Sequence, residues 1–184
     1  MALSRTAIVN AALTILDDYG LADLSMRRIA GALGAAPAAL YWHFANKQSL
    51  LAGVAGVLLA DLEGPSACTH EGLTRWCADL RARLLAHRDG AELVSSVLGM
   101  RIQEVSPADL LARSLTDAGF TEATAGPAAA LVVHYILGHT LDLQGYAQSQ
   151  QLGVAGPPGP DPDVAFAFGV RLLVDGLMNE LDAR

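Results

Sequence analysis

The residues with the clearest chemical purpose lie between Gly34 and Leu51, in the run GAAPAALYWHFANKQSLL. Their chemistry is non-covalent recognition rather than bond making. The spacing predicts a helix of about two turns starting at Pro37, with Leu40 and Phe44 turned inward. Ala38, Tyr41 and Trp42 then face outward, with Ala39 at the flank and His43 beside them. The small face Pro37-Ala38-Ala39 lets a backbone approach base edges, and alanine methyls can meet thymine methyls. Tyr41 can give its hydroxyl to a phosphate, and Trp42 can pack on the sugar-phosphate wall. Lys47 opens the next helix and adds its charge to the positive end of that helix's dipole, which suits a phosphate. Arg27 and Arg28 stand in the first turn of the preceding helix. Either can reach a phosphate, and one can read guanine through its forked donors. Two other readings stay open: the aromatics pack against helix one or four, and the arginines are solvated surface charges.

Other reactive side chains form no comparable set. His134 and Asp142 are eight residues apart and near one another's face on a helix, while His139 points elsewhere. They are the only basis for a helical metal-dependent enzyme, and they lack a ligand set of established spacing or a nucleophile–base pair. No catalytic residue, metal site or cofactor is therefore expected. Cys68 and Cys77 read as reduced thiols, since two cysteines make no disulfide framework.

The elements that position these groups read as helix throughout. Ile8, Ala12, Ile15 and Tyr19 recur at helical spacing, with Ser4 as N-cap and Gly20 where a C-cap glycine belongs. Ser25 caps a second helix with inner residues Met26, Ile29, Ala30 and Leu33, ended by Gly34. This is the layout of a helix-turn-helix over about 25–44. Asn46 caps a fourth helix through Leu58. Further helices are expected over about 71–87, 91–103, from Pro107 to before Gly119, 124–150 and 163–182. The predicted organisation is a DNA-binding domain over 1–46, a connecting helix over 47–63 and a larger helical domain over 64–184. A Pro/Gly linker, LGVAGPPGPDP, lies at 152–162 within that domain.

Composition allows a sizeable core: 52% of residues are apolar and 17% charged. The first fifty residues hold four basic side chains (Arg5, Arg27, Arg28, Lys47) against three acidic ones (Asp17, Asp18, Asp23), so the net charge of −7 arises beyond them. That asymmetry suits a DNA-facing end and an acidic body. The longest apolar stretch, from Ala128 to Ile136, is interrupted by His134 and is too short to span a bilayer. With no signal-type run at the N-terminus, a cytoplasmic protein is expected.

Residues 4–58 resemble the DNA-binding domain of the TetR family of bacterial repressors. The resemblance rests on Tyr19-Gly20, the stretch Leu24-Ser25-Met26-Arg27-Arg28-Ile29-Ala30, Leu33-Gly34, the Leu40-Tyr41-Trp42-His43-Phe44 block, and Asn46-Lys47 before Leu50-Leu51. It continues in the manner of the family's tetracycline-responsive branch through His87-Arg88-Asp89-Gly90-Ala91 and through His134, Gly138, Leu141-Asp142 and Gln144. A further match is Phe166-Ala167-Phe168-Gly169 to Gly176-Leu177. The resemblance implies an all-α, Ω-shaped homodimer that binds a palindromic DNA operator and leaves it when a small molecule binds. It implies an effector pocket at Trp76, Leu80, Leu84, Val94, Leu98, His134, Gly138 and Asp142. It also implies a dimer seam at Leu131, Phe166, Val170, Leu173, Gly176 and Leu177, an intrachain core being the other reading of the last helix. Trp76, Leu80, Val94 and Leu98 are apolar where that branch places several ligand-contacting groups, three of them polar. The expected effector is accordingly more apolar than a magnesium-dependent chelate, which would leave polar edges unpaired at roughly 1–3 kcal/mol per group. A DNA-binding regulator with no effector is the alternative.

Overall fold

Side-chain caps set where the helices begin. Ser4 Oγ accepts the Ala7 N–H at 3.1 Å, and Ser25 Oγ accepts that of Arg28 at 3.2 Å. Asn46 and Ser49 form a reciprocal box, with Asn46 Oδ1 accepting the Ser49 N–H at 2.8 Å and Ser49 Oγ accepting the Asn46 N–H at 3.2 Å. Ser106 and Asp161 cap two later helices in the same way.

The computed structural model describes residues 3–183, and among them all regular structure is helical. The helices are α1 (Arg5–Tyr19), α2 (Met26–Ala32), α3 (Pro37–Leu40), α4 (Lys47–Leu58), α5 (His70–Leu85), α6 (Gly90–Met100), α7 (Pro107–Asp117), α8 (Glu122–Gln151) and α9 (Pro162–Asp182). A 3-10 turn, Leu21–Asp23, joins α1 to α2. None of these helices is long and apolar enough to cross a membrane. The boundaries depart from the sequence expectation in two places. α3 is one turn rather than two, because the aromatic run Tyr41-Trp42-His43-Phe44 has poor helix propensity and the chain bends to bury Phe44. α6 stops at Met100, three residues early, where Arg101 turns left-handed at φ 55°.

The chain forms two compact units. The first holds the chain up to Ala60 together with Arg83–Val105. Ile8, Leu16, Ile29, Leu40, Phe44, Leu50 and Val54 are buried in its core, and α6 lies against α4. The second comprises Asp61–Ala82 and the chain from Ser106 onward, where α8 packs on α7 and on α9. This division differs from the linear one read from the sequence, because α4 and α6 both go with the N-terminal helices. Polar contacts show why. The Asp89 carboxylate accepts the Leu21 N–H at 2.7 Å, His87 Nδ1 meets Asp17 at 3.0 Å, and the Arg88 N–H donates to Asp17 at 3.2 Å. The turn between α5 and α6 is thereby fastened to the end of α1. Gly20 is needed in that joint: its φ is 89°, and a Cβ there would lie 2.7 Å from Asp89 Oδ2.

Candidate nucleic-acid interface

Helix α2 ends in a Schellman arrangement that sets the turn. Gly34 adopts φ 63°, its N–H donates to the Gly31 carbonyl at 3.1 Å, and the Ala35 N–H donates to that of Ala30 at 2.9 Å. Pro37 then starts α3, where its missing N–H costs nothing. The Leu40 carbonyl accepts from both His43 and Phe44 at 2.9 Å, which closes the turn after α3. Leu40 and Phe44 are buried beneath it.

The outer side of this element is open. Trp42 is 90% exposed and Tyr41 52%. Pro37 and Ala38 are also exposed, whereas Ala39 and His43 are half-buried. Both aromatics therefore lie outside the core, which removes the reading in which they pack against α1 or α4. Lys47 occupies the first position of α4, half-buried. Arg27 is exposed and makes no ion pair or side-chain hydrogen bond among the described residues.

Arg28 departs from expectation. Its guanidinium lies 3.8 Å from the centre of the Tyr19 ring and is hydrogen-bonded to Asp23. Its charge is already matched inside the protein, so among the described residues Arg27 and Lys47 are the cations of α2 and α4 without an ion pair. Sequence reasoning missed Arg5. Its guanidinium stacks over Phe44 at 4.2 Å, donates to the His43 carbonyl at 3.0 Å and faces Glu104 at 3.6 Å. Arg5 thus braces the turn that carries Tyr41 and Trp42. A lone arginine in the first turn of a helix gives no local signal of such a role.

In the remainder of the chain the predicted groupings separate. Trp76, Leu80, Leu84 and Val94 are buried and Leu98 is half-buried. Trp76 and Leu80 belong to the second unit, while Leu84, Val94 and Leu98 belong to the first. Trp76 Nε1 donates to the Glu63 carbonyl at 2.8 Å. His134, Gly138 and Asp142 are exposed on α8 rather than interior, in one stripe with Leu131 and Leu141. The predicted seam also divides. Phe166, Val170 and Leu177 belong to the chain's own core, Leu173 is half-buried, and only Leu131 and Gly176 are exposed. The apolar residues that α9 leaves uncovered are Val164, Phe168 and Leu172. An offset of two residues turns a side chain by roughly 200° around a helix, so Phe168 faces away from Phe166.

The first unit thus carries a short helix after a glycine turn, with exposed aromatics and flanking cations. Residues 8–54 match the model of bacterial regulatory proteins of the tetR family, and residues 67–158 match that of the tetracyclin repressor-like C-terminal domain. The chain belongs to the tetR family. Tetracycline repressor protein class C of Escherichia coli is 31% identical over 199 residues, spanning 95% of this chain and 90% of its own. A crystal structure of BioQ from Mycobacterium smegmatis is 42% identical with a TM-score of 0.87, covering 96% of this chain and 98% of that one. BioQ crystallised with its natural double-stranded DNA operator is 41% identical with a TM-score of 0.80, at coverages of 96% and 98%. As a tetR-family member this chain is a DNA-binding transcriptional regulator, with α2, the glycine turn and α3 as its helix-turn-helix.

Proposed function

We propose that the protein is a repressor that binds a palindromic operator as a homodimer and is released by a small, largely apolar effector. One observation carries the DNA reading: Trp42 and Tyr41 stand uncovered on the turn after α3, in a segment bounded along the chain by Arg27 and Lys47. Two aromatics on a rigid, capped support with flanking cations suit a phosphate-lined groove. Pro37 and Ala38 offer the bases a surface with almost no donors. Specificity then leans on DNA shape and on half-site spacing. Arg28 and Arg5 hold the element in place.

Half-site spacing requires two copies. The apolar residues left uncovered on α8 (Leu131 and Leu141) and on α9 (Val164, Phe168 and Leu172) support that reading, since exposed apolar stripes of this kind mark an interface. His134, Gly138 and Asp142 then belong to the seam or its margin. In the second unit the buried apolar residues Trp76 and Leu80 support an apolar effector. Release follows if the effector prefers a conformation whose recognition turns no longer match successive grooves.

The test is DNA selection from random duplexes followed by anisotropy titration of the recovered sequence. A palindromic site bound by two chains is expected, with Trp42→Ala and Lys47→Ala weakening binding while leaving the dimer intact. Binding unchanged in both variants would sink the assignment of these residues.

A further inference from the structure

Beneath the first turns of α9, the second unit holds polar side chains that DNA recognition does not use. The Arg81 side chain, on α5, is only 13% exposed. Its guanidinium lies 4.6 Å from the centre of the Phe166 ring, and Nη2 reaches Asp163 at 2.8 Å. Its Nε is buried and has no partner. His139, on α8, meets the same Phe166 ring edge-on at 5.2 Å, and its Nδ1 is likewise buried without a partner. Tyr135 stacks on Phe166 at 5.8 Å, but its hydroxyl is committed to the Ala165 and Phe166 carbonyls at 3.1 Å each. Two orphaned nitrogens therefore flank one aromatic ring.

Native interiors seldom leave such atoms unpaired, because each costs the desolvation of a polar group without return. The charged groups facing His139 are Arg81 from α5, Asp142 on its own helix and Asp163 at the start of α9, with the Pro162 carbonyl as hydrogen-bond partner. Burial first, then Arg81, lowers the pKa of His139 and keeps the ring neutral. Burial also raises Tyr135, and nearby Cys77 is pushed up to about 12, so neither supplies an anion. Asp163 reaches only Arg81 Nη2, so what the two orphaned nitrogens lack is an acceptor with two oxygens. A planar carboxylate offers one oxygen to the Arg81 Nε–H and the other to a protonated His139 Nδ1. A cation offers no acceptor to the Arg81 Nε–H, and an alcohol brings one oxygen and no charge. Phe166 is itself buried, its ring covered by Tyr135, Arg81 and His139, and Asp163, with a side chain 79% exposed, marks the solvent edge.

We propose that Arg81 and His139 form a receptor for the carboxylate of an organic acid, bound together with one proton. The proposal rests on the small-molecule effector reading and names the effector's head group. The proton enters because His139 spends one nitrogen on Pro162, so its free nitrogen donates only when the ring is charged. Affinity therefore rises as pH falls, by up to about tenfold per pH unit for one linked proton.

The experiment is isothermal titration of the full chain with acetate, octanoate, benzoate and phenylacetate at pH 6 and pH 8. Two buffers of different ionisation enthalpy report proton uptake, and octan-1-ol serves as the uncharged control. At least one acid is expected to bind tighter at pH 6, with up to one proton taken up and octan-1-ol much weaker. His139→Gln should flatten the pH dependence. Arg81→Lys, which keeps the charge but lacks Nε–H, should weaken binding about tenfold at both pH values. Melting curves verify that both variants are folded. Absence of binding by all four acids, equal binding of octanoate and octan-1-ol, or a pH dependence that survives His139→Gln would each overturn the site. Operator release is measured separately. Acid binding with the proton signature but no release refutes only the effector reading. Release by uncharged compounds alone refutes only the site.

Discussion

Trp42 and Phe168 are both large exposed aromatics, but their neighbours give them opposite meanings. Trp42 stands on a short turn braced by Arg5, with Tyr41 beside it and Arg27 and Lys47 on the helices before and after it in the chain. Phe168, 56% exposed, sits mid-stripe between Val164 and Leu172 on a helix whose other side is already in the core, and the one cation over its ring, Arg171 at 5.1 Å, is paired with Asp175. An aromatic among cations and small residues suits a charged, grooved partner. An aromatic in an aliphatic stripe, its one neighbouring cation already matched by a carboxylate, suits a dry partner, and the surface that most resembles its own surroundings is a second copy of the same face. Exposure alone does not separate DNA contact from dimer contact; the company an exposed ring keeps does.

The largest effect that tests this contrast is expected from Phe168→Asp. A carboxylate in the middle of the apolar face cannot be buried without a partner. Sedimentation should show monomer at micromolar concentration, and operator affinity should fall on the order of a hundredfold as the two half-sites uncouple. A stable dimer with unchanged operator affinity would remove the α9 face from the interface. Next comes Asp89→Ala in the first unit. It strips the acceptor from the Leu21 N–H and leaves alanine at φ 55°, so unfolding free energy should drop by about 1–3 kcal/mol. Asp89→Asn, which tolerates that backbone and can still accept, should recover most of the loss. Chemical denaturation measures both, and equal stability of all three proteins would show that the joint carries no load. Third is Lys47→Ala, expected to cost about tenfold in operator affinity and to lower the salt slope by about 1. Its melting temperature and dimer constant should stay put. An unchanged slope means Lys47 contacts no phosphate.

The same contrast explains what the sequence could disclose. Caps, the glycine turn and the inward pair Leu40 and Phe44 obey local rules, so the helix-turn-helix was legible down to its turn glycine, though α3 proved one turn shorter. α9 was not, because it is apolar on two sides. Phe166, Val170, Leu173 and Leu177 form one stripe and Val164, Phe168 and Leu172 another, and periodicity does not say which stripe faces inward. Burial assigns the first stripe chiefly to the chain's own core. Pairings across the chain, such as Arg5 with Phe44 and Arg81 with Asp163, were equally hidden, since they depend on the packing of whole helices.

The smallest expected effect is the response of the unliganded protein to mild acid. The folded pKa of His139 is depressed, mainly by burial and then by Arg81, so the folded state favours the neutral ring. That contribution is fully present above about pH 6.5, the unfolded histidine range, and is lost as pH falls through the lower folded value. The melting temperature of the wild type should therefore decline slightly below pH 6.5, and less so in His139→Gln, because the ring is partly open to solvent. A bound carboxylate reverses this sign, since it pairs with the charged ring and favours the folded, protonated state. The melting temperature against pH should slope one way without octanoate and the other way with it. Parallel slopes would leave His139 a half-buried histidine with no carboxylate to pair with, while the DNA contact of Trp42 and the dimer contact of Phe168 would stand untouched.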